Sequence, residues 1–333
     1  MASIAVAWFA VFAIVATAAH AEPPPRFGLP IDCEIGPGCF VQKYVDHRKG
    51  KGYQDYHCGF LTDDGHGGTD FRLRDFTAIE RGVAVLAAAA GRVRNVRDGM
   101  PDVDVRVVGK NAVDDRGLGN AVVVDHGGGW RTIYGHMRRG SVTVAEGQRV
   151  AAGQKLGTIG LSGATEFPHV HFEVRFGQRI VDPFVGLKTQ SGCDSGEDPL
   201  WRPDVFARLE YRPTFLLRSG FSDRPMTRAA LQYGLYERDT LPRKRGSLYF
   251  GVFVAGLFAG DRLNIALADQ NGKTLRQAGA VVNQPAAVQF RSLAWKRNAP
   301  LPAGRYTARF TLHRAKDEKP RAVIDISRDV TLR

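Results

Sequence analysis

Pro168-His169-Val170-His171-Phe172-Glu173-Val174 is the stretch on which the reading of this chain turns. Apolar and polar residues alternate through it, the period of a strand with one face in a core. Val170, Phe172 and Val174 fall on one side, and His169, His171 and Glu173 on the other. Extended backbone sets the two imidazoles ~7 Å apart on a common face. A lone strand histidine is ordinarily structural, whereas two beside a carboxylate mark a candidate site.

The same period extends outward on both sides. Val83 to Val96 is apolar and β-rich, Ala121 to Asp125 reads as a strand, Gly127-Gly128-Gly129 as a tight turn and Trp130 to Met137 as the returning strand. Gly147, Gly153, Gly157, Gly160 and Gly163 punctuate a run that carries Val150, Leu156 and Ile159. That spacing predicts short strands joined by turns in a compact, barrel-like antiparallel sheet. Asn95 to Gly119 is polar and rich in Asp and Gly, and predicts an inserted loop or hairpin beside a cleft. Past an acidic stretch at Ser191 to Asp198, Leu263, Ile265 and Leu267 alternate with Arg262, Asn264 and Ala266. Tyr306, Ala308, Phe310 and Leu312 do the same with Thr307, Arg309 and Thr311, and Asn271-Gly272 signals a turn. This predicts a second unit, a small β-sandwich.

The expected organisation is all-β in five parts. A signal peptide occupies 1–21, an N-terminal disulfide-containing segment 22–62, a small antiparallel β barrel-sandwich domain 63–190, a linker 191–200, and a basic C-terminal β-sandwich domain 201–333. With 333 residues, 44% hydrophobic and 24% charged, the chain is too apolar to be mainly disordered. Its 38 glycines follow no three-residue period, which excludes collagen.

Ala2 to Ala18 is apolar and ends at Ala19-His20-Ala21, followed by Glu22 and three prolines. That pattern predicts a cleaved secretory signal. The run is shorter than the ~20 residues of a membrane span, so no transmembrane segment is expected in the mature chain. Export to the periplasm or the medium favours disulfides. Cys33 and Cys39 flank the Gly36-Pro37-Gly38 turn and can close a local loop, which leaves Cys58 for Cys193. No C-x-x-C pair occurs, so neither a thiolate zinc knuckle nor a thioredoxin-type motif is expected. The net charge of +12 divides unevenly. Glu22 to Gln190 holds 22 basic and 20 acidic residues, and the remainder 24 and 14, a net of +10. In an exported protein this points to an anionic wall or envelope polymer; nucleic-acid-binding motifs are lacking.

Of nine histidines, seven lie between His47 and His171. His20 leaves with the signal, and His313 continues an exposed polar strand face. His47 and His57 receive no role, and His126 beside its glycine turn reads as structural or exposed. Tyr134 shares a predicted strand face with His136 and could line a groove. In Gly65-His66-Gly67-Gly68-Thr69-Asp70, the paired glycines argue against a helix, but a glycine-rich bend into a strand can bring His66 and Asp70 together. With one of the paired histidines they supply three N/O ligands, leaving a fourth tetrahedral position, as in catalytic zinc sites.

This ordered set resembles the lysostaphin-type (LytM-type) zinc metallopeptidases, or murein endopeptidases. It comprises His66-x-x-x-Asp70, Tyr134-Gly135-His136, the glycine run 147–163, Pro168-His169-Val170-His171-Phe172-Glu173 and Val181-Asp182-Pro183. It covers roughly residues 64–186. The resemblance implies a duplicated-hybrid-motif-like β fold open to a groove, one zinc per chain held by His66, Asp70 and His171, and catalytic roles for His136 and His169 around the activated water. It implies an endopeptidase that cuts peptide cross-links of peptidoglycan. Glu173 is expected either to orient a ligand histidine or to form a salt bridge at the sheet edge.

Three other readings compete. One is a non-catalytic zinc-binding cell-wall regulator on the same scaffold, and another a zinc protease acting on proteins. The third, histidine phosphoryl transfer, conflicts with the signal segment. No H-E-x-x-H, P-loop or dinucleotide fingerprint is present, and Cys193-Asp194-Ser195-Gly196 lacks the order of a serine-protease nucleophile.

Overall fold

The computed structural model describes residues 23–187, 193–194, 196–314 and 322–333. The expected signal segment, and residues 191, 192 and 195 of the expected linker, lie outside them.

The molecule is nearly all β. Among the described residues, ten strands precede the acidic stretch: β1 (Cys39–Lys43), β2 (Thr69–Leu73), β3 (Ala84–Leu86), β4 (Gly91–Arg97), β5 (Asn120–Gly127), β6 (Trp130–Met137), β7 (Arg149–Val150), β8 (Lys155–Thr158), β9 (His169–Phe176) and β10 (Arg179–Val181). Eight of these form one antiparallel sheet in the order β1-β2-β9-β6-β5-β4-β7, with β10 also on β9. The order is open: β1 and β7 are its edges and no barrel closes. β3 and β8 pair separately.

The decisive strand sits near the middle. β9 lies between β2 and β6, with Asp70 opposite His171, Arg72 opposite His169 and Gly135 also opposite His171. Val170, Phe172 and Val174 are buried in a core with Phe27, Phe71, Tyr134, Phe184 and Trp201. Such burial stabilises by ~1.5–3 kcal/mol per large side chain, which pins the register and so the imidazole-bearing face.

Val83 to Val96, expected to be β-rich, supplies two strands, β3 and β4, which belong to different sheets with Ala87 to Ala90 turning between them. The stretch from Asn95 to Gly119 is no hairpin. It completes β4, then forms a helical turn at Val105–Val108 and a 3-10 helix at Lys110–Arg116. Asp104 caps the first of these by accepting from the Arg106 amide, and capping favours helix over strand.

Eight more strands follow: β11 (Phe215–Ser222), β12 (Thr240–Leu241), β13 (Ser247–Leu257), β14 (Arg262–Ala268), β15 (Thr274–Val281), β16 (Ala286–Lys296), β17 (Gly304–His313) and β18 (Ala322–Leu332). They make a three-stranded sheet, β11-β13-β16, and a five-stranded sheet, β12-β18-β17-β14-β15. Leu263, Ile265, Leu267, Tyr306, Ala308, Phe310 and Leu312 are all buried, sharing a core with Phe250, Val252 and Val254 of the facing sheet. His313 departs from expectation: it is half-buried, and its Nδ1 is buried with no partner among the described residues.

The two halves touch. Phe40 of β1 stacks on Phe215 at 4.1 Å and packs with Leu217, Leu231 and Phe253. The short helix Arg228–Gln232 docks against the turn after β2: Gln232 O accepts from the Phe76 amide, Tyr233 lies on Phe76, and buried Arg218 pairs with Asp75 at 2.6 Å. Sulfurs of Cys33 and Cys39 are bonded, as are those of Cys58 and Cys193, and no described cysteine is free.

Candidate metal centre

β2, β6 and β9, with the loop that leads into β2, bring five predicted side chains to one place. Asp70 is its hub. Its Oδ1 lies 3.2 Å from His66 Nε2, 3.0 Å from His171 Nδ1 and 3.4 Å from His169 Nε2. The His136 ring lies 4.5 Å from that of His169 and 6.0 Å from that of His171, between centroids. Asp70, His136, His169 and His171 are buried, and His66 is partly exposed.

Backbone carbonyls aim three of the imidazoles. A carbonyl can only accept, so the ring nitrogen facing it carries the proton. His66 Nδ1 donates to Tyr44 O at 2.7 Å, His136 Nδ1 to Ser162 O at 2.8 Å and His169 Nδ1 to Phe167 O at 2.9 Å. In each neutral ring Nε2 is then left with its lone pair. His171 is oriented differently: its Nε2 faces Glu173 Oε2 at 3.5 Å, and its Nδ1 faces Asp70. Glu173 is itself held by Arg175.

The donor set fits a divalent cation. Ligands at ~2.0–2.1 Å from a tetrahedral centre lie about 3.3 Å from one another. The ligand atoms of His66, Asp70 and His171 all lie within 4.8 Å of one another, and both imidazole contacts to Asp70 match a tetrahedral edge. The electrostatics agree. Burial disfavours a charged His171, yet hydrogen bonds to Asp70 and Glu173 outweigh it and push the imidazole up to about 9. Burial likewise opposes the Asp70 carboxylate, but His66 and His169 hold it well below its usual range. The site therefore stabilises positive charge beside a buried carboxylate. His136 goes the other way: burial, then His169 and His171, keep it neutral.

His136 occupies a bulge. Asn120 pairs with Met137 but Val122 with Tyr134, so Gly135 and His136 together oppose one residue of β5. His136 has φ 59°, a left-handed conformation that costs a non-glycine residue of order 1 kcal/mol or more. Two backbone bonds hold it there, His136 N to Leu118 O and Gly160 N to His136 O. The bulge breaks the alternation and corrects the reading of Tyr134. That ring is fully buried in the core, its hydroxyl accepting from the Ala88 amide and from Thr132. His136 is turned to the site instead.

The remaining histidines have local partners. His126 bonds Ala90 O and Thr132 Oγ1, a structural place. His47 pairs with Asp182 at 2.8 Å and His57 with Asp194 at 3.5 Å.

Several contributors escape sequence reasoning. A Cβ on Gly68 would lie 2.6 Å from His171 Nε2, and one on Gly67 3.0 Å from Glu173 Oε2, so the paired glycines make room for the His171–Glu173 pair. Asp46 accepts from the amides of Arg48, Gln54 and Gly65, and its own amide bonds His66 O, which shapes the loop that presents His66. Arg72, fully buried, lies 4.3 Å from the ring of Phe167, the residue whose carbonyl orients His169. None of these has a periodic signature; only the G-G pair hints at a close approach.

On this open antiparallel β sheet, with its His-Asp-His donor set beside two further imidazoles, residues 64–183 match Peptidase family M23, so the chain carries an M23 (LytM-type) domain over that range. Murein hydrolase activator NlpD of Escherichia coli (strain K12) is 34% identical over 106 residues, 32% of this chain and 23% of that protein. Cell division protein DipM of Caulobacter vibrioides (strain NA1000 / CB15N) is 31% identical over 102 residues, 31% of this chain and 14% of that protein. The chain thus spans under a quarter of the length of either relative. Among solved structures, a zinc containing peptidase from Vibrio cholerae is 28% identical with a TM-score of 0.28, covering 43% of this chain and 39% of that one.

Proposed function

We propose that this protein is an exported zinc endopeptidase that hydrolyses peptide cross-links of bacterial peptidoglycan. The observation that carries the proposal is the convergence of His66 Nε2 and His171 Nδ1 on Asp70 Oδ1, with His136 and His169 alongside. His66, Asp70 and His171 would hold zinc. Zinc there would act as a Lewis acid, polarising the scissile carbonyl and acidifying water. His136 accepts a proton at Nε2, since its Nδ1–H is committed to Ser162 and burial keeps it neutral. His169, committed through Nδ1 to Phe167, presents Nε2 to the same space and passes a proton to the leaving amine. Glu173 holds the His171 ring.

Export is supported by two disulfides and the absence of a free described cysteine, the usage of an oxidising compartment. We assign 1–21 as a signal peptide removed on export to the periplasm or medium. Among the described residues no helix is long and apolar enough to cross a membrane. We retain the remaining boundaries: 22–62 as the disulfide-containing segment, 63–190 as the peptidase domain, 191–200 as linker and 201–333 as the basic domain. The last would hold the enzyme on anionic wall material.

The name of the relative NlpD favours a second reading, a non-catalytic activator on this scaffold. It predicts metal binding without turnover. The presence of all five site residues favours the enzyme. The test is zinc-dependent release of free amines from purified peptidoglycan: His171→Ala abolishes it if the proposal holds, and unchanged hydrolysis refutes it.

A further inference from the structure

A cavity of about 810 Å³ opens in the C-terminal half, away from the histidines. Its walls come from the end of β11, the helix Arg228–Gln232, the loop after it, and β12. The floor is apolar, formed by buried Phe221 and Leu241, with Leu235 exposed at the lip. Arg224, Arg238, Lys244 and Arg245 surround the opening, all exposed. Arg245 is neutralised by Asp223 at 2.8 Å. Arg224, Arg238 and Lys244 have no ion-pair partner among the described residues. Three unneutralised cations around one concavity raise its local potential and favour an anion there.

The shape narrows the anion. A repeating phosphate polymer calls for a long basic stripe. Here the cations close around a single hollow with an apolar base, which suits a short segment bearing separate carboxylates and small apolar groups. The stem peptides of peptidoglycan have that chemistry. Position agrees: Ala230 lines the cavity, while Arg228 of the same short helix lies over the Phe253 ring at 5.1 Å, and Phe253 packs with Phe40 of β1. The Arg218–Asp75 pair and the Phe76–Tyr233 contact fix this helix to the peptidase half. The same short helix thus lines the cavity and docks on the half that carries the histidines.

We propose that this cavity is a second wall-peptide site, which grips a carboxylate-bearing stem peptide other than the one being cut. The proposal rests on the wall-peptide reading above. It makes wall binding bivalent, so that occupancy of the cavity raises the effective concentration of cross-links at the groove.

The test uses the chain from Glu22 and a triple variant, Arg224→Ala, Arg238→Ala and Lys244→Ala, with unchanged melting temperature as the folding check. A second triple variant exchanges Arg224 and Arg238 for Lys and Lys244 for Arg. Binding to intact sacculi is measured by co-sedimentation, and cleavage on a small soluble cross-linked peptide. The alanine variant is expected to lose about tenfold in sacculus binding with soluble-peptide cleavage unchanged, and the charge-keeping variant to regain most of the binding. Soluble disaccharide tetrapeptides should displace the wild type, and anionic phospholipid vesicles or polyphosphate should not. Sacculus binding unaffected by the alanine variant overturns the proposal, as does displacement by vesicles or polyphosphate alone. Charge-dependent sacculus binding by a chain that cuts no soluble peptide would support this site while refuting the peptidase reading.

Discussion

Gly68→Ala is the sharpest single perturbation of the candidate metal centre, because it adds one carbon and no charge. The new Cβ would lie 2.6 Å from His171 Nε2, 2.7 Å from His171 Cε1 and 2.7 Å from Phe172 O. Ordinary contact begins near 3.4 Å, so the overlap is about 0.7 Å against both a ring and a backbone carbonyl. Neither is a loose side-chain end. His171 is held between Asp70 and Glu173, and Phe172 O belongs to the central strand. β2 must shift from β9, or the imidazole must rotate off its pair of carboxylates. Overpacking of this kind costs ~1–3 kcal/mol of stability. A displaced ligand lowers metal affinity by ~10–100-fold, by analogy with the loss of an outer-shell partner. Gly65→Ala is the control. Gly65 has φ 75° but no atom within 4 Å of its Cβ, so that change strains the backbone without touching His171. Zinc affinity by chelator competition, with calorimetric melting alongside, separates the two. Gly68→Ala should lose both affinity and stability, and Gly65→Ala mainly stability. Wild-type zinc affinity in Gly68→Ala would refute the steric account of the glycine pair.

Three further outcomes are expected. Glu173→Gln keeps the shape but loses the charge behind His171 Nε2, so zinc affinity by chelator competition should fall by about tenfold, less than for His171→Ala. His136→Ala should leave zinc content by metal analysis unchanged while hydrolysis falls by ~10²–10⁴-fold, since it removes a proton carrier and no proposed ligand. Asp75→Asn removes the carboxylate beside buried Arg218 and should cost about 3 kcal/mol in denaturant unfolding at neutral pH. Burial opposes the Asp75 charge, but Thr77 and Arg218 outweigh it and hold the carboxyl below its usual range. Its stabilisation is therefore full above the ordinary Asp pKa and lost as pH falls through the lowered folded value. The wild-type advantage over Asp75→Asn should vanish in acid and persist at pH 7.

Much of this architecture is legible in the chain because period-two alternation survives into the fold. β9, β14 and β17 bury the residues their patterns name, since each has one face on a core. Asp70 and His171 meet as register partners of adjacent strands 101 residues apart, and only the ordered motif set hints at that. Alternation fails at Tyr134 and His136 because a bulge with a left-handed residue inserts an extra position, and no hydrophobic period records a bulge. Between Val83 and Val96 one apolar run feeds two sheets, a division that its composition does not mark. The helical turns at 105–116 are short, and only the first carries a side-chain cap, so their polar composition reads as loop. The carbonyls of Tyr44, Ser162 and Phe167 that aim three imidazoles carry no side-chain signal at all. Nor does the docking of Arg228–Gln232 on the turn at Asp75, which exists only once both halves are folded.

The central claim, a zinc endopeptidase of peptidoglycan, is tested most directly by metal analysis of the chain from Glu22 combined with digestion of purified peptidoglycan, with Asp70→Ala alongside. The account predicts one zinc per chain and new free amines from the wild type only, and product masses would name the bond cut. Bound zinc with no amine release, or equal release by Asp70→Ala, would contradict it.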